Sequence, residues 1–181
     1  MRQFTYLMLS LILLVSCKHK ATNTEESKYK TAVSYNDAIV GQQTKILKQI
    51  FQFVEVSDAS LDSADHLLDT YGKELEGIIL NVRSMPPFKG DSSLRDAAIS
   101  SFGFYRKIMG NEYKAIIRLR KEGANETEEG VEKLRDIVQH ITDEEAGYDK
   151  NFRLAQQAFA KKYNITLTDN DMQKKIDKLN E

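Results

Sequence analysis

Four stretches of this chain carry apolar residues alternately four and three positions apart, and that spacing restricts the fold more than any other feature. In the first, Ile39, Ile46, Ile50 and Phe53 form one stripe, with Val40, Leu47 and Val54 beside it. The second is the most regular: Ala64, Leu68, Tyr71, Leu75, Ile78 and Val82. Leu94, Ala98, Phe102, Tyr105, Ile108, Met109, Ile116 and Leu119 make the third. The fourth runs Leu134, Val138, Ile141, Glu145, Tyr148, Phe152, Ala155 and Phe159. A mean step of about 3.5 residues is the coiled-coil period, and helices that keep it bury their seams against partners crossing at a shallow angle.

The stretches are separated near Asp58-Ala59-Ser60, across Met85–Asp91 and near Gly123-Ala124-Asn125. Pro86-Pro87 cannot continue a helix: neither has an N–H to donate, and each pushes its predecessor out of the α region. Asp58 or Ser60 can cap the second helix, Asp91 or Ser92 the third, and Thr127 the fourth. The first and third connections are too short for anything but antiparallel neighbours. The expected fold is therefore all-α, an antiparallel up-down-up-down four-helix bundle over residues 31–163. Residues 164–181 are expected to form a C-terminal tail: an extended Ile165-Thr166-Leu167, then a short helix for which Thr168 and Asp171 resemble a capping box. Two prolines, no tryptophan and 29% charged residues suit long helices.

The N-terminus asks for a different explanation. Met1-Arg2-Gln3 precedes an apolar run from Phe4 to Val15, broken only by Thr5 and Ser10 and followed by Ser16-Cys17. One basic residue, a dozen apolar ones and a small residue before a cut is the layout of a secretory signal. The run is too short for a ~30 Å hydrocarbon layer, which needs about 20 apolar residues. Leu14-Val15-Ser16-Cys17 resembles the lipobox of bacterial lipoproteins, and Cys17 is the sole cysteine of the chain. The resemblance implies a signal peptide over residues 1–16, cleavage before Cys17, a thioether-linked diacylglycerol on its sulfur and a third acyl chain on its amine. Buried acyl chains contribute about 0.8 kcal/mol per CH₂, and two or more hold stably at a membrane. Residues 17–30 then form the lipidated cysteine and a polar stretch of linker composition, a flexible tether. Lys18 occupies the place where aspartate would signal inner-membrane retention in enteric bacteria, which favours the outer membrane of the cell envelope.

Three blocks carry a second resemblance: Tyr35-Asn36-Asp37-Ala38-Ile39-Val40 followed by Gln43, Met85-Pro86-Pro87-Phe88 leading to Arg95-Asp96-Ala97-Ala98, and Phe159 to Ile165. Together they resemble blocks shared by a group of surface lipoproteins of Bacteroidetes and spirochaetes. The blocks are short but span most of the chain after the signal. The resemblance implies a lipid-anchored helical domain and transfers no activity or catalytic residue to any position.

Charge and motifs exclude more than they assign. Without residues 1–16, 25 basic residues stand against 27 acidic ones, which leaves no basic excess for nucleic acid. A Glu-x-x-His di-iron pattern is missing, since His66 follows Ser63 and His140 follows Ile137, and helical phase turns both histidines outward. His19 lies in the tether. No phosphate loop, nucleophile elbow or His-Glu-x-x-His is present, and Asp169-Asn170-Asp171 lacks the glycine and distal glutamate of a calcium loop. Neither catalytic residues, cofactor nor metal is therefore expected.

The inward stripes are nonetheless interrupted by Gln43, Ser101, Glu112 and Glu145, with Tyr71, Tyr105 and Tyr148 among them. Folding the helices back at their breaks puts Gln43, Leu75, Ser101 and Tyr148 at one level and Tyr71, Tyr105 and Glu145 at the next. A buried carboxylate needs hydrogen-bond donors, and a Tyr105–Glu145 contact is the expected solution. The cluster is either a register device or a pocket for a small ligand. Gly41, Gly103 and Gly110 face outward and leave room for a close partner. The expected function is a membrane-anchored lipoprotein with a non-enzymatic interaction or structural domain contacting an envelope protein; the alternative is a carrier or sensor of a small ligand within the bundle.

Overall fold

The computed structural model describes residues 29–169, together with the backbone of Val15–Ser16. Five α-helices make up almost all of it: α1 (Ala32–Ala59), α2 (Leu61–Ser84), α3 (Ser93–Gly110), α4 (Glu112–Lys121) and α5 (Glu128–Tyr163), with a single 3-10 turn at Ala124–Glu126. Among the described residues the fold is all-α apart from a two-residue antiparallel pairing of β1 (Val15–Ser16) with β2 (Thr168–Asp169) and a single bridge at Phe88 and Asp91. Thr168 thus enters a strand pair, and the rest of the short helix expected after it lies outside the described residues, as do Cys17 and His19.

All the helices but α4 begin where a side chain accepts from one of the first amides. Thr31 accepts from the Ser34 N–H at 3.0 Å while Ser34 Oγ accepts from the Thr31 N–H, a reciprocal box opening α1. Ser60 accepts from the Ser63 N–H at the start of α2, and Thr127 from the Gly130 N–H at the start of α5. At α3, Asp91 supplies the acceptor, taking the Ser93 N–H at 3.0 Å, while Ser92 turns its hydroxyl to Asp96. After α2, Met85 adopts extended backbone ahead of the two prolines. Lys89 and Gly90 then take positive φ, and Phe88 and Asp91 exchange backbone hydrogen bonds of 3.0 and 2.9 Å. α5 ends at Asn164 in the left-handed conformation.

One expectation is corrected here. The third apolar stretch is two helices rather than one, divided at Asn111. Gly110 and Asn111 both have low helix propensity, and Asn111 bends away (φ −115°, ψ −72°) while the flanking amides keep their i−4 carbonyls. The stripe survives the bend, since Ile108, Met109, Tyr113, Ile116 and Ile117 are all buried.

The order of contacts relates the helices. Asp62 and Asp65 on α2 reach Lys121 and Lys114 on α4, and Glu76 reaches Arg106, so the pairing runs in opposite sense. From Asp91–Lys162 through Tyr105–Glu145 to Lys107–Glu144, α3 and α5 also run oppositely. Phe53 stacks on Tyr113 at 4.8 Å and Ser57 meets Arg120, so α1 and α4 advance together. The three resembling blocks converge at one end, where Tyr35, Phe88, Phe159 and Tyr163 pack with ring centroids 4.7 to 5.7 Å apart. Arg95 closes that corner by donating to the Met85 carbonyl at 2.9 Å.

Candidate functional site

Helical phase brings Tyr105 from α3 and Glu145 from α5 to the interior, and the contact expected between them is present. The Tyr105 phenol donates to Glu145 Oε1 at 3.1 Å, and Asp149 Oδ1 stands 3.4 Å from the same phenol oxygen. Tyr105 is fully buried, Glu145 is 2% exposed and Asp149 5%, so two acidic groups one turn apart share one hydroxyl away from water. Burial pushes the Glu145 carboxyl up to about 8, against the hydrogen bond from Tyr105 that pulls it down. Burial, reinforced by the Glu145 charge, pushes Asp149 up to about 9. Burial likewise raises Tyr105 far above the ordinary phenol range, with both carboxylates adding to it. At neutral pH the group is a set of uncharged acids, because an unpaired carboxylate in the interior is the costlier state.

Several polar atoms around this group lack a partner. Gln43 is fully buried on α1, and neither its amide nitrogen nor its amide oxygen has a hydrogen-bond partner. Ser101 Oγ, one turn before Tyr105, and Asp149 Oδ2 are buried in the same condition. Unsatisfied groups of this kind are few in native proteins, and each needs a physical reason.

The remaining expected members fall elsewhere. Tyr148 is half-buried at the edge, stacked on Phe104 at 4.8 Å, and Asp149 takes the inward place assigned to it. Ala155 and Val138 are likewise half-buried, and Gln156 lies inward instead. Tyr71 is buried on α2 but makes no hydrogen bond to the Tyr105 group. Asp149, Asn36 and Gln156 were missed by reading apolar residues alone. Gln156 donates to Asn36 Oδ1 at 2.9 Å, both residues being essentially inaccessible. The signal that could have found them is a second four-three alternation, 145, 149, 152, 156, 159, sharing Phe152 and Phe159 with the apolar one.

Glu112 is mostly buried rather than inward: its side chain is 14% exposed and pairs with Lys107 at 3.7 Å. His140 faces solvent, as does His66. Glu112, His140 and Glu144 present donor atoms within 4.8 Å of one another. The Lys107 ammonium, 2.6 Å from Glu144 and 3.7 Å from Glu112, offsets one of the two carboxylate charges. Glu144 and His140 lie at the surface, where ion pairs contribute little, while Glu112 reaches in beneath them. Gly41, Gly103 and Gly110 are exposed, with open space where a Cβ would stand.

No protein family matches the chain, and comparison with curated proteins and with solved structures finds no match.

Proposed function

We propose that the protein is a lipid-anchored component of the bacterial cell envelope whose folded part is a non-catalytic helical domain contacting another envelope protein. One observation carries this: the only cysteine ends an apolar N-terminal run in the sequence Leu14-Val15-Ser16-Cys17 and is followed by a polar tether. Among the described residues no helix is long and apolar enough to cross a membrane, and the hold proposed is the acyl chains on Cys17. α1 starts at a capped Thr31 directly after the tether, which suits a domain held off a surface. The order of the interhelical contacts supports an antiparallel up-down-up-down four-helix bundle, with the kinked α3 and α4 as one of its four members. Lys18 favours the outer membrane. Cleavage before Cys17 would remove β1. For Cys17→Ala the expected result is a protein that takes up no labelled fatty acid and leaves the membrane fraction. Retention equal to the parent would overturn the proposal.

A second reading, a carrier or sensor of a small ligand within the bundle, is favoured by a separate observation. Gln43, Ser101 and Asp149 bury polar atoms with no partner in the protein. Each such atom costs about 1–3 kcal/mol, which a bound polar species would offset.

A further inference from the structure

We propose that the layer formed by Gln43, Ser101, Tyr105, Glu145 and Asp149 is a binding site for a hard divalent cation of the calcium or magnesium type. The inference rests on the second reading and names its ligand class.

Register supplies the geometry. Asn36 and Gln156 are hydrogen-bonded across α1 and α5, and Tyr35 stacks on Phe159, so the two helices meet in opposite sense. One heptad along each, two turns or about 10.5 Å, leads from Asn36 to Gln43 and from Gln156 to Asp149. Gln43 and Asp149 therefore stand at one level, as Asn36 and Gln156 do. Yet the lower pair is bonded and this one is not. Tyr105 ties Asp149 to Glu145, and Ser101 sits one turn below Tyr105 on α3.

The donor set is chemically uniform. Gln43 Oε1, Ser101 Oγ, Tyr105 Oη and the carboxyl oxygens of Glu145 and Asp149 are all oxygens, with no thiol or imidazole among them. Such a set suits hard cations rather than zinc or copper. The charged and titratable groups around it are Tyr113 from α4, which the Glu145 charge acts on, and Arg153 from α5, which acts on Asp149 without forming an ion pair. No basic side chain forms an ion pair with Glu145 or Asp149 among the described residues. Two carboxylates and one divalent ion make a neutral interior. As the ion enters, each of the two acids gives its proton to solvent.

The lipidated full-length protein in detergent is titrated calorimetrically with calcium chloride and with magnesium chloride across neutral and alkaline pH. One of the two salts is expected to bind saturably at one ion per chain. Native mass spectrometry is expected to record one bound ion per chain. Glu145→Gln with Asp149→Asn replaces neutral acids by isosteric amides and is expected to abolish the response. His140→Ala with Glu144→Gln is expected to leave it intact. A response that disappears in the second variant and survives in the first assigns binding to the surface cluster and overturns the proposal. Should the amide variant fail to fold, Gln43→Leu is titrated in its place, and binding undiminished in that variant overturns the proposal. If neither salt binds but an organic mass accompanies the protein from its membrane, the cation is wrong and the carrier reading stands. With neither ion nor organic mass, both fall.

Discussion

Glu145 and Asp149 keep their protons in the folded chain at pH values where the unfolded chain has lost them. Between the ordinary carboxylate range and about 8 to 9, the folded state binds more protons. Stability contributed by these groups therefore falls as pH rises through that window and levels off above it. Asp91 acts in the opposite direction: the Lys162 ammonium at 2.6 Å, together with Ser93, holds it well below the usual range, so its contribution is lost in strong acid. Thermal melting followed by circular dichroism, with no divalent salt, is expected to show a decline from mildly acidic to alkaline pH. In Glu145→Gln with Asp149→Asn that decline should flatten, because amides have no proton to lose. A parent curve already flat between pH 5 and 9 would mean the two acids are solvated and ionised.

At the scale of single elements, glycine has opposite meanings at two places on one helix. Gly130 begins α5 under the 3-10 turn, and a Cβ there would lie 2.3 Å from the Ala124 carbonyl oxygen and 2.5 Å from its Cα. Both atoms are backbone and cannot step aside. Gly147 lies mid-helix with open space around it. Gly147→Ala is expected to stabilise by about 0.5–1 kcal/mol through lost unfolded-state freedom. Gly130→Ala is expected to destabilise by about 1–3 kcal/mol through overpacking. Urea denaturation of the two variants checks the sign of each. The cap at Thr127 was legible from residue type and position alone, and that of α2 was narrowed to Asp58 or Ser60; the box at Thr31 emerges only from the structure. The division at Asn111 was not, because its backbone ladder continues and its apolar stripe is unbroken.

Over the whole molecule, the core runs from an aromatic corner at Tyr35, Phe88, Phe159 and Tyr163 to Phe53 and Tyr113 on the far side of the polar layer. The pairing of β1 with β2 adds only two residues to this, and so short a ladder is marginal by itself. A chain beginning at Tyr29 is accordingly expected to melt within a few degrees of the full-length protein, compared at equal pH and salt. A fall comparable to the loss of a core side chain would show that the N-terminal segment belongs to the folded unit.

The amino-acid sequence by itself determined the all-α class, the apolar stripes of α1 to α4, the connections at Ser60 and Pro86-Pro87, and the meeting of Tyr105 with Glu145. All but the last follow from local rules, since apolar periodicity, missing N–H groups and capping side chains act within a few residues of themselves; Tyr105 and Glu145, 40 residues apart, meet because the helices that carry them fold back at legible breaks. Only the tertiary structure decided which of two overlapping alternations on α5 turns inward. Hydrophobicity favours Tyr148 and Ala155 over Asp149 and Gln156. A polar residue can face the core only if another helix satisfies it, and Asn36 and Tyr105 lie 120 and 44 residues away from the groups they serve. Partners so distant leave no trace in a window of one helix.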